Sequence, residues 1–275
     1  MLWIVEKLDS RTNHDEICKE IRDQGHICHE LEYKICRSVD DDLVKKGNSM
    51  SCLAIGSTNM AFHDKTIPGV MCNSYYLKCS TYYAYFGEYL FNDFYTMIPL
   101  KELHRNYDSI SRVYGDDKDR LFVRPDMGNK LFTGQVVSSQ KEAFVNLEVQ
   151  RRPSMLVVAS SVKEVGSEYR FFVSGKEIIS GSHYHDETGI KEYEVDETTQ
   201  VKKSDSLAYE FVKSIIEQDL FQPDLIFSID VVVTRGVPAI MELNSMTCSG
   251  WYACNVKKMV SRISDIVTEE DHRRL

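Results

Sequence analysis

The stretch FSIDVVVTRGVPAIMELN, residues 227–244, decides how the chain reads. Two apolar runs, at 225–233 and 239–243, flank Arg235, Gly236, Val237 and Pro238, so the segment is a pair of strands joined by a tight turn. Asp230 interrupts the first run, and Glu242 and Asn244 lie at the matching end of the second. Alternate strand residues share a face, so Glu242 and Asn244 point the same way and Asp230 can face them across the hairpin. An unpaired buried carboxylate is costly, and two brought together repel unless a cation lies between them. Hard oxygen ligands of this kind suit Mg2+, which commonly takes one or two carboxylates plus substrate phosphates. On spacing alone, a metal site and ordinary ion pairs with basic side chains are both open readings.

Upstream lies a basic set. Arg124 ends a predicted strand at 121–124, a turn containing Gly128 follows at 125–131 with Lys130 in it, and a second strand covers 132–138. A glycine turn lets backbone amides approach an anion, Arg can hold phosphate oxygens bidentately, and Lys acts as a point charge. An apolar strand at 156–160 comes next. The runs 168–173 and 177–183 flank Ser174, Gly175 and Lys176 as a hairpin, and Arg170 stands in its otherwise apolar YRFFV segment, facing a cleft or an acid. Residues 206–219 form a helix with Leu207, Phe211 and Ile215 on one stripe and Ala208, Val212 and Ile216 beside it. A last helix covers 256–267.

The opening of the chain has an α/β pattern: strands at 2–5, 26–33 and 51–55, with a helix at 13–23 capped by Asn13 or Ser10 and stopped by Gly25. The Gly-Ser-Thr-Asn run at 56–59 reads as a turn. Residues 75–95 hold seven of the fifteen tyrosines, and a core-facing helix between lobes is favoured over a platform for stacked bases. A helix is predicted at 98–112, opening at Pro99. The charged turn at 116–119 marks a boundary between an N-terminal domain, 1–115, and a second domain, 116–275.

Composition narrows the function classes. Apolar content of 43% and charged content of 27% belong to an ordinary globular protein. A net charge of −9 argues against a broad grip on nucleic acid or an anionic membrane. No run reaches the ~18 consecutive apolar residues of a membrane span. The start, MLWIVEKLDS, lacks the pattern of a secretory leader, and the eight cysteines contain no CxxC pair, so reduced thiols in a cytoplasmic setting are expected. The expected place of each cysteine is as a small buried apolar residue. His183 and His185, alternating on a strand, would share a face, but no third metal ligand is fixed beside them. Cys248 and Cys254 have no evident base nearby and read as packing or substrate-lining residues.

The order of these features resembles the ATP-grasp superfamily. FVRPDMGNKLFTG (122–134), EYRFFVSGKEIISGSHY (168–184) and MELNSMTCSGWYACN (241–255) look like a clade, frequent in phages and bacteria, whose nucleotide site carries two arginines and a lysine. The likeness covers about residues 121–255, and it departs from the commoner pattern by placing Arg124 where most members have a phosphate-binding lysine. It implies an α+β fold, with two α+β subdomains holding ATP between them after an α/β pre-grasp lobe. It further implies ATP and Mg2+ as cofactors. Arg124 and Lys130 would hold phosphates, and backbone groups of Val157, Val158, Ala159 and Ser160 the adenine edge. Glu164 would meet the ribose, Asp230, Glu242 and Asn244 the Mg2+, and Arg170, with Lys130, the transferring group. The implied reaction joins a carboxylate to an amine, of a small molecule or a peptide, through an acyl phosphate. A kinase or nucleotide-transferring enzyme, and a nucleotide-binding regulatory module without turnover, are the alternatives. Neither a membrane nor nucleic acid is an expected partner, and a homodimer is compatible with this organisation.

Overall fold

The computed structural model describes residues 1–7, 13–32, 40–61, 66–127, 132–146, 149–186, 189 and 192–274. Lys130 and Gly128, and the Ser10 capping alternative, lie outside them. In chain order the first elements are β1 (Leu2–Glu6), α1 (His14–Asp23), β2 (Ile27–Leu31), α2 (Asp41–Asn48), β3 (Cys52–Ile55) and the single-turn α3 (Thr58–Ala61). Then come α4 (Cys79–Phe86), β4 (Tyr95–Pro99), α5 (Leu100–Arg105), α6 (Tyr107–Tyr114), β5 (Leu121–Pro125), β6 (Gln135–Val137), α7 (Gln140–Asn146) and β7 (Leu156–Ser161). The chain closes with β8 (Ser167–Ser174), β9 (Glu177–His185), β10 (Tyr193–Glu194), α8 (Lys203–Glu217), β11 (Phe227–Thr234), β12 (Val237–Ser245) and α9 (Val256–Arg274).

Packing divides the chain into two units, Met1–Asn73 with Gly166–Leu275, and Ser74–Val165. In the first, β2, β1 and β3 form a parallel sheet, and β10, β9, β8, β11 and β12 form an antiparallel one. One apolar core ties the two ends of the sequence together: Trp3, Ile17, Ile21 and Leu53 from the start pack with Phe172, Ile226, Met246, Met259 and Ile263 from the finish. Helix α1 begins at Asn13, whose side chain makes no cap and instead donates to the Tyr252 carbonyl at 2.8 Å. It ends where Gly25 adopts φ +78°, the left-handed conformation a helix stop requires.

Helix α8 turns a stripe of Ala208, Val212, Ile215 and Ile216 inward; Leu207 and Phe211, predicted to share it, are only half-buried. At its start Asp205, fully buried, accepts backbone N–H groups of Val201 and Lys202 at 2.7 Å each and the hydroxyls of Tyr169 and Tyr193 at 2.9 Å each. A carboxylate at a helix N-terminus meets both the unpaired amides and the positive end of the dipole.

Gly166 enters β8 where a Cβ would lie 2.1 Å from the Val233 carbonyl oxygen. Backbone cannot yield as a flexible side chain does, so Gly166→Ala is expected to lower stability by about 2 kcal/mol. Urea unfolding followed by circular dichroism checks this, and an unchanged midpoint would show that the strand shifts freely.

The second unit is a four-stranded sheet, β4-β7-β5-β6, over a core that includes Leu100, Leu103, Tyr107, Leu121 and Val157. The aromatic segment contributes one short helix, α4, which buries Cys79, Tyr82, Tyr83 and Phe86 at helical spacing and leaves Tyr85 exposed. The predicted helix at 98–112 is corrected. Residues 95–99 pair with β7 as an edge strand, and the helix is broken at Asn106 into α5 and α6. Pro99 lacks an N–H but sits at the end of an edge strand, where no ladder bond is needed from it. The sequence boundary at 116 falls inside this unit, in the turn between α6 and β5. Among the described residues no helix is long and apolar enough to cross a membrane.

Candidate nucleotide and metal site

The two halves of the 227–244 hairpin are β11 and β12, turning on Arg235 and Gly236, both at positive φ. Asp230 stands directly opposite Glu242, and Ser228 opposite Asn244. Between Asp230 and Val231 the register shifts, so that Val231 pairs with Ile240 and Met241 is the extra residue. This bulge is what aims the site. Ile240 and Glu242 are two apart and would share a face on a regular strand; the added residue sends Ile240 into the core while Glu242 joins Asp230. On that face Asn244 Nδ2 donates to Asp230 at 3.2 Å and to Glu242 at 2.9 Å, holding the two carboxylates together.

The neighbouring strand β8 places Arg170 opposite Asp230. Its Nε and one terminal nitrogen each donate to a different Asp230 oxygen at 2.7 Å, a bidentate pair with Arg170 6% and Asp230 1% exposed. The remaining terminal nitrogen donates to the Gly250 carbonyl at 3.2 Å. Tyr184 and Tyr252 stack on each other with centroids 4.6 Å apart, and the guanidinium lies 5.0 Å from the Tyr252 ring. Tyr252 adopts φ +48°, a conformation that costs a non-glycine residue energy and clusters at functional sites. Burial opposes the charge on Arg170, but Asp230 more than offsets it, so the guanidinium is held above its ordinary range.

Two further residues belong here that the reading of sequence motifs did not pick out. Glu168, two before Arg170 on the same strand, accepts from the Tyr184 hydroxyl at 2.9 Å and pairs with His185 at 3.2 Å. Burial pushes its carboxyl up, with Asp230 and Glu242 adding to the push. Burial, then Asp230 and Glu168, likewise raise the Tyr184 hydroxyl. The alternation in EYR was the available signal for Glu168; Tyr252 had none, because a loop brings it in.

The predicted alternation of His183 and His185 is corrected by a bulge between Glu168 and Tyr169. It sets His185 beside Glu168 and His183 beside Tyr169, where His183 is buried and stacks on Tyr193 at 4.6 Å. Cys254 is buried and its thiol is pushed up to about 12 by burial, which makes it a packing residue. Cys248 is half-buried with its sulfur 3.3 Å from the Ser57 carbonyl.

In the second unit Arg124 ends β5, 8% exposed and opposite Val158. It is close enough to Cys79 and Tyr83 of α4 to act on both electrostatically. Strand β7 is interior, paired with β4 on one side and β5 on the other, so the backbones of Val157, Val158, Ala159 and Ser160 lie within two ladders. Val157, Val158 and Ala159 are buried, and Ser160 donates to Asn92 at 3.1 Å. Residues 162–165 leave the sheet; Lys163 there bonds the Phe91 carbonyl and Asp93, and Glu164 is exposed.

The Asp230 face fits a divalent cation by its donor chemistry. Glu168, Asp230 and Glu242 bring three carboxylates together, and the Arg170 guanidinium is bonded among them. A flip of the Asn244 carboxamide would turn its oxygen to the place its N–H2 now holds, completing an all-oxygen set.

Comparison with known proteins agrees with this arrangement. Residues 104–261 match the model of an ATP-grasp domain, family 2 of the clade named for two arginines and a lysine. The chain therefore belongs to the ATP-grasp superfamily, within that clade, and its fold is the α+β ATP-grasp fold. Among solved structures it is similar to the D-cycloserine synthetase DcsG, at 11% identity and a TM-score of 0.60 over 97% of this chain and 100% of that one. It is similar also to D-alanine–D-alanine ligase from Bacillus anthracis, at 16% identity and 0.54 over 99% and 98%. A third is the ATP-grasp ligase PsnB with a minimal precursor, at 10% identity and 0.54 over 96% and 99%. No protein of curated function matches the chain.

Proposed function

We propose that this protein is a Mg-ATP-dependent ligase that joins a carboxylate to an amine through an acyl phosphate. The observation that carries the reading is the convergence of Asp230, Glu242 and Asn244 on one face, locked by the Arg170 pair, in a chain of the ATP-grasp superfamily. Asp230, Glu242 and Asn244 would hold Mg2+, which neutralises phosphate oxygens. Arg170 fixes the Asp230 carboxylate and supplies positive charge beside the transferring phosphoryl group. Arg124 and Lys130 hold the polyphosphate. Val157, Val158, Ala159 and Ser160 meet the adenine edge where their strand leaves its ladder, and Glu164 meets the ribose.

Phosphoryl transfer demands positioning and charge neutralisation more than a protein nucleophile. A substrate carboxylate oxygen attacks the γ-phosphorus and ADP leaves. The amine then attacks the acyl carbon, phosphate departs, and an amide remains. Arg170 can stabilise the tetrahedral oxyanion of that second step. The solved structures with this fold act on small molecules or bind a peptide precursor by their titles, and both classes are suitable substrates to test.

The expected result is ADP and phosphate release that depends jointly on a carboxylate and an amine, measured over a panel of amino acids, peptides and polyamines. ADP release with phosphate retained on an acceptor would instead identify a kinase. AMP and pyrophosphate would identify nucleotide transfer, and ATP binding with no turnover would identify a regulatory module.

A further inference from the structure

Helix α1 and strand β2 bring together side chains that the proposed ATP chemistry does not use. His14 and Cys18 lie one turn apart on the helix, and Cys28 and Glu30 lie two apart on the strand, so each pair shares a face. His14 Nε2 is 3.7 Å from Cys18 Sγ and 3.9 Å from Glu30 Oε2. One ligand atom from each of His14, Cys18 and Glu30 fits within a set in which no two are more than 4.8 Å apart. The Cys18 thiol also hydrogen-bonds Cys28, which brings a second sulfur to the group.

The surroundings orient the ligand atoms. His14 Nδ1 is 3.3 Å from an Asp15 carboxylate oxygen, so the ring proton belongs on Nδ1 and Nε2 turns a lone pair to the cluster. Metal-bound histidines commonly have this carboxylate behind them. Arg22 bonds Glu30 Oε1, which leaves Oε2 on the cluster side. His14 and Cys18 are 8% and 2% exposed, whereas Glu30 is at the surface and gives an ion a way in. Simple packing accounts for a buried cysteine, but not for an imidazole, a second sulfur and a carboxylate aimed at one point.

The geometry points to a cation site of the zinc class built from His14 Nε2, Cys18 Sγ, Cys28 Sγ and Glu30 Oε2. Sulfur and imidazole donors select zinc-like ions over Mg2+, so the site is chemically distinct from the Asp230 face. Two thiolates and a carboxylate carry three negative charges, which a dication and Arg22 balance. Four protein ligands leave no open position, the mark of a structural site. Its effect is to clip α1 to β2 at the start of the parallel sheet. None of these four ligands takes part in the proposed ligase chemistry, so the site stands or falls independently of it.

The test titrates the full, reduced, chelator-treated chain with Co(II), reading sulfur-to-cobalt charge-transfer absorption, and then displaces the cobalt with Zn(II). One equivalent with tetrahedral absorption is expected, together with a zinc-dependent rise in melting temperature. Cys18→Ser and Cys28→Ser should each weaken zinc binding at least 100-fold. Glu30→Gln, a surface change that spares the fold, should weaken it at least 10-fold, and Asp15→Asn about 10-fold. Glu242→Gln should leave zinc binding unchanged. Absence of charge-transfer absorption overturns the site. So does binding that survives both Cys18→Ser and Glu30→Gln, or a chain that closes a Cys18–Cys28 disulfide in air while its reduced form takes up no cobalt.

Discussion

Asp230→Ala is expected to lower the unfolding free energy by about 3–5 kcal/mol, because it leaves the buried Arg170 guanidinium without its counter-ion. The sign follows from burial. Both partners are almost wholly removed from water, and Asp230 accepts from two nitrogens of Arg170 and from Asn244. The double variant Arg170→Met/Asp230→Ala should be less destabilised than the sum of the two single changes by about 2 kcal/mol, since removing both charges also removes the unpaired one. A cycle of four urea titrations checks this. Additive single costs would mean that the pair is not coupled and that Arg170 does not fix Asp230. The ion pair and the metal reading, alternatives on spacing, are compatible in the fold. Arg170 holds one edge of the carboxylate group while Glu242 and Asn244 converge from the other strand.

Asp205→Ala should be comparably severe, about 4 kcal/mol, because four donors lose a buried acceptor and each stranded group carries its own desolvation penalty. The Tyr169 and Tyr193 hydroxyls and the Val201 and Lys202 amides all end on this one carboxylate. Tyr169 neighbours Arg170 on β8, so loosening it also loosens the strand that carries the site. Asp205→Asn keeps one acceptor oxygen and should cost about half as much. Thermal and urea unfolding of both variants measure this order, and a mild effect of Asp205→Ala would mean that water replaces the carboxylate.

Much of the carboxylate-bearing sheet was legible. The apolar runs around Arg235 and Gly236 mark a hairpin, Asp230 and Glu242 interrupt them, and Ser174, Gly175 and Lys176 lie at a second turn. The structure places both hairpins close to their expected bounds. The bulge at Met241 was not legible, because no composition signal marks one extra residue in an apolar strand. The aromatic density at 75–95 hid the edge strand β4, whose pairing partner β7 lies far along the chain. A reading in sequence order seeks a single boundary, such as the one near 116, whereas the first packing unit is assembled from two distant stretches. The acids and Arg170 were read from motifs; Tyr184, Tyr252 and Glu168 were not, because they enter the site through register and a strained loop.

The measurement that tests the central claim most directly is ATP affinity as a function of Mg2+ for the parent chain and for Glu242→Gln. Glu242 is half-buried and not part of the buried Arg170 ion pair, so the variant should keep its fold, which circular dichroism verifies. The expected result is ATP binding that tightens with Mg2+ in the parent chain and loses most of that dependence in the variant. Equal Mg2+ dependence in both would contradict a metal site at Asp230, Glu242 and Asn244.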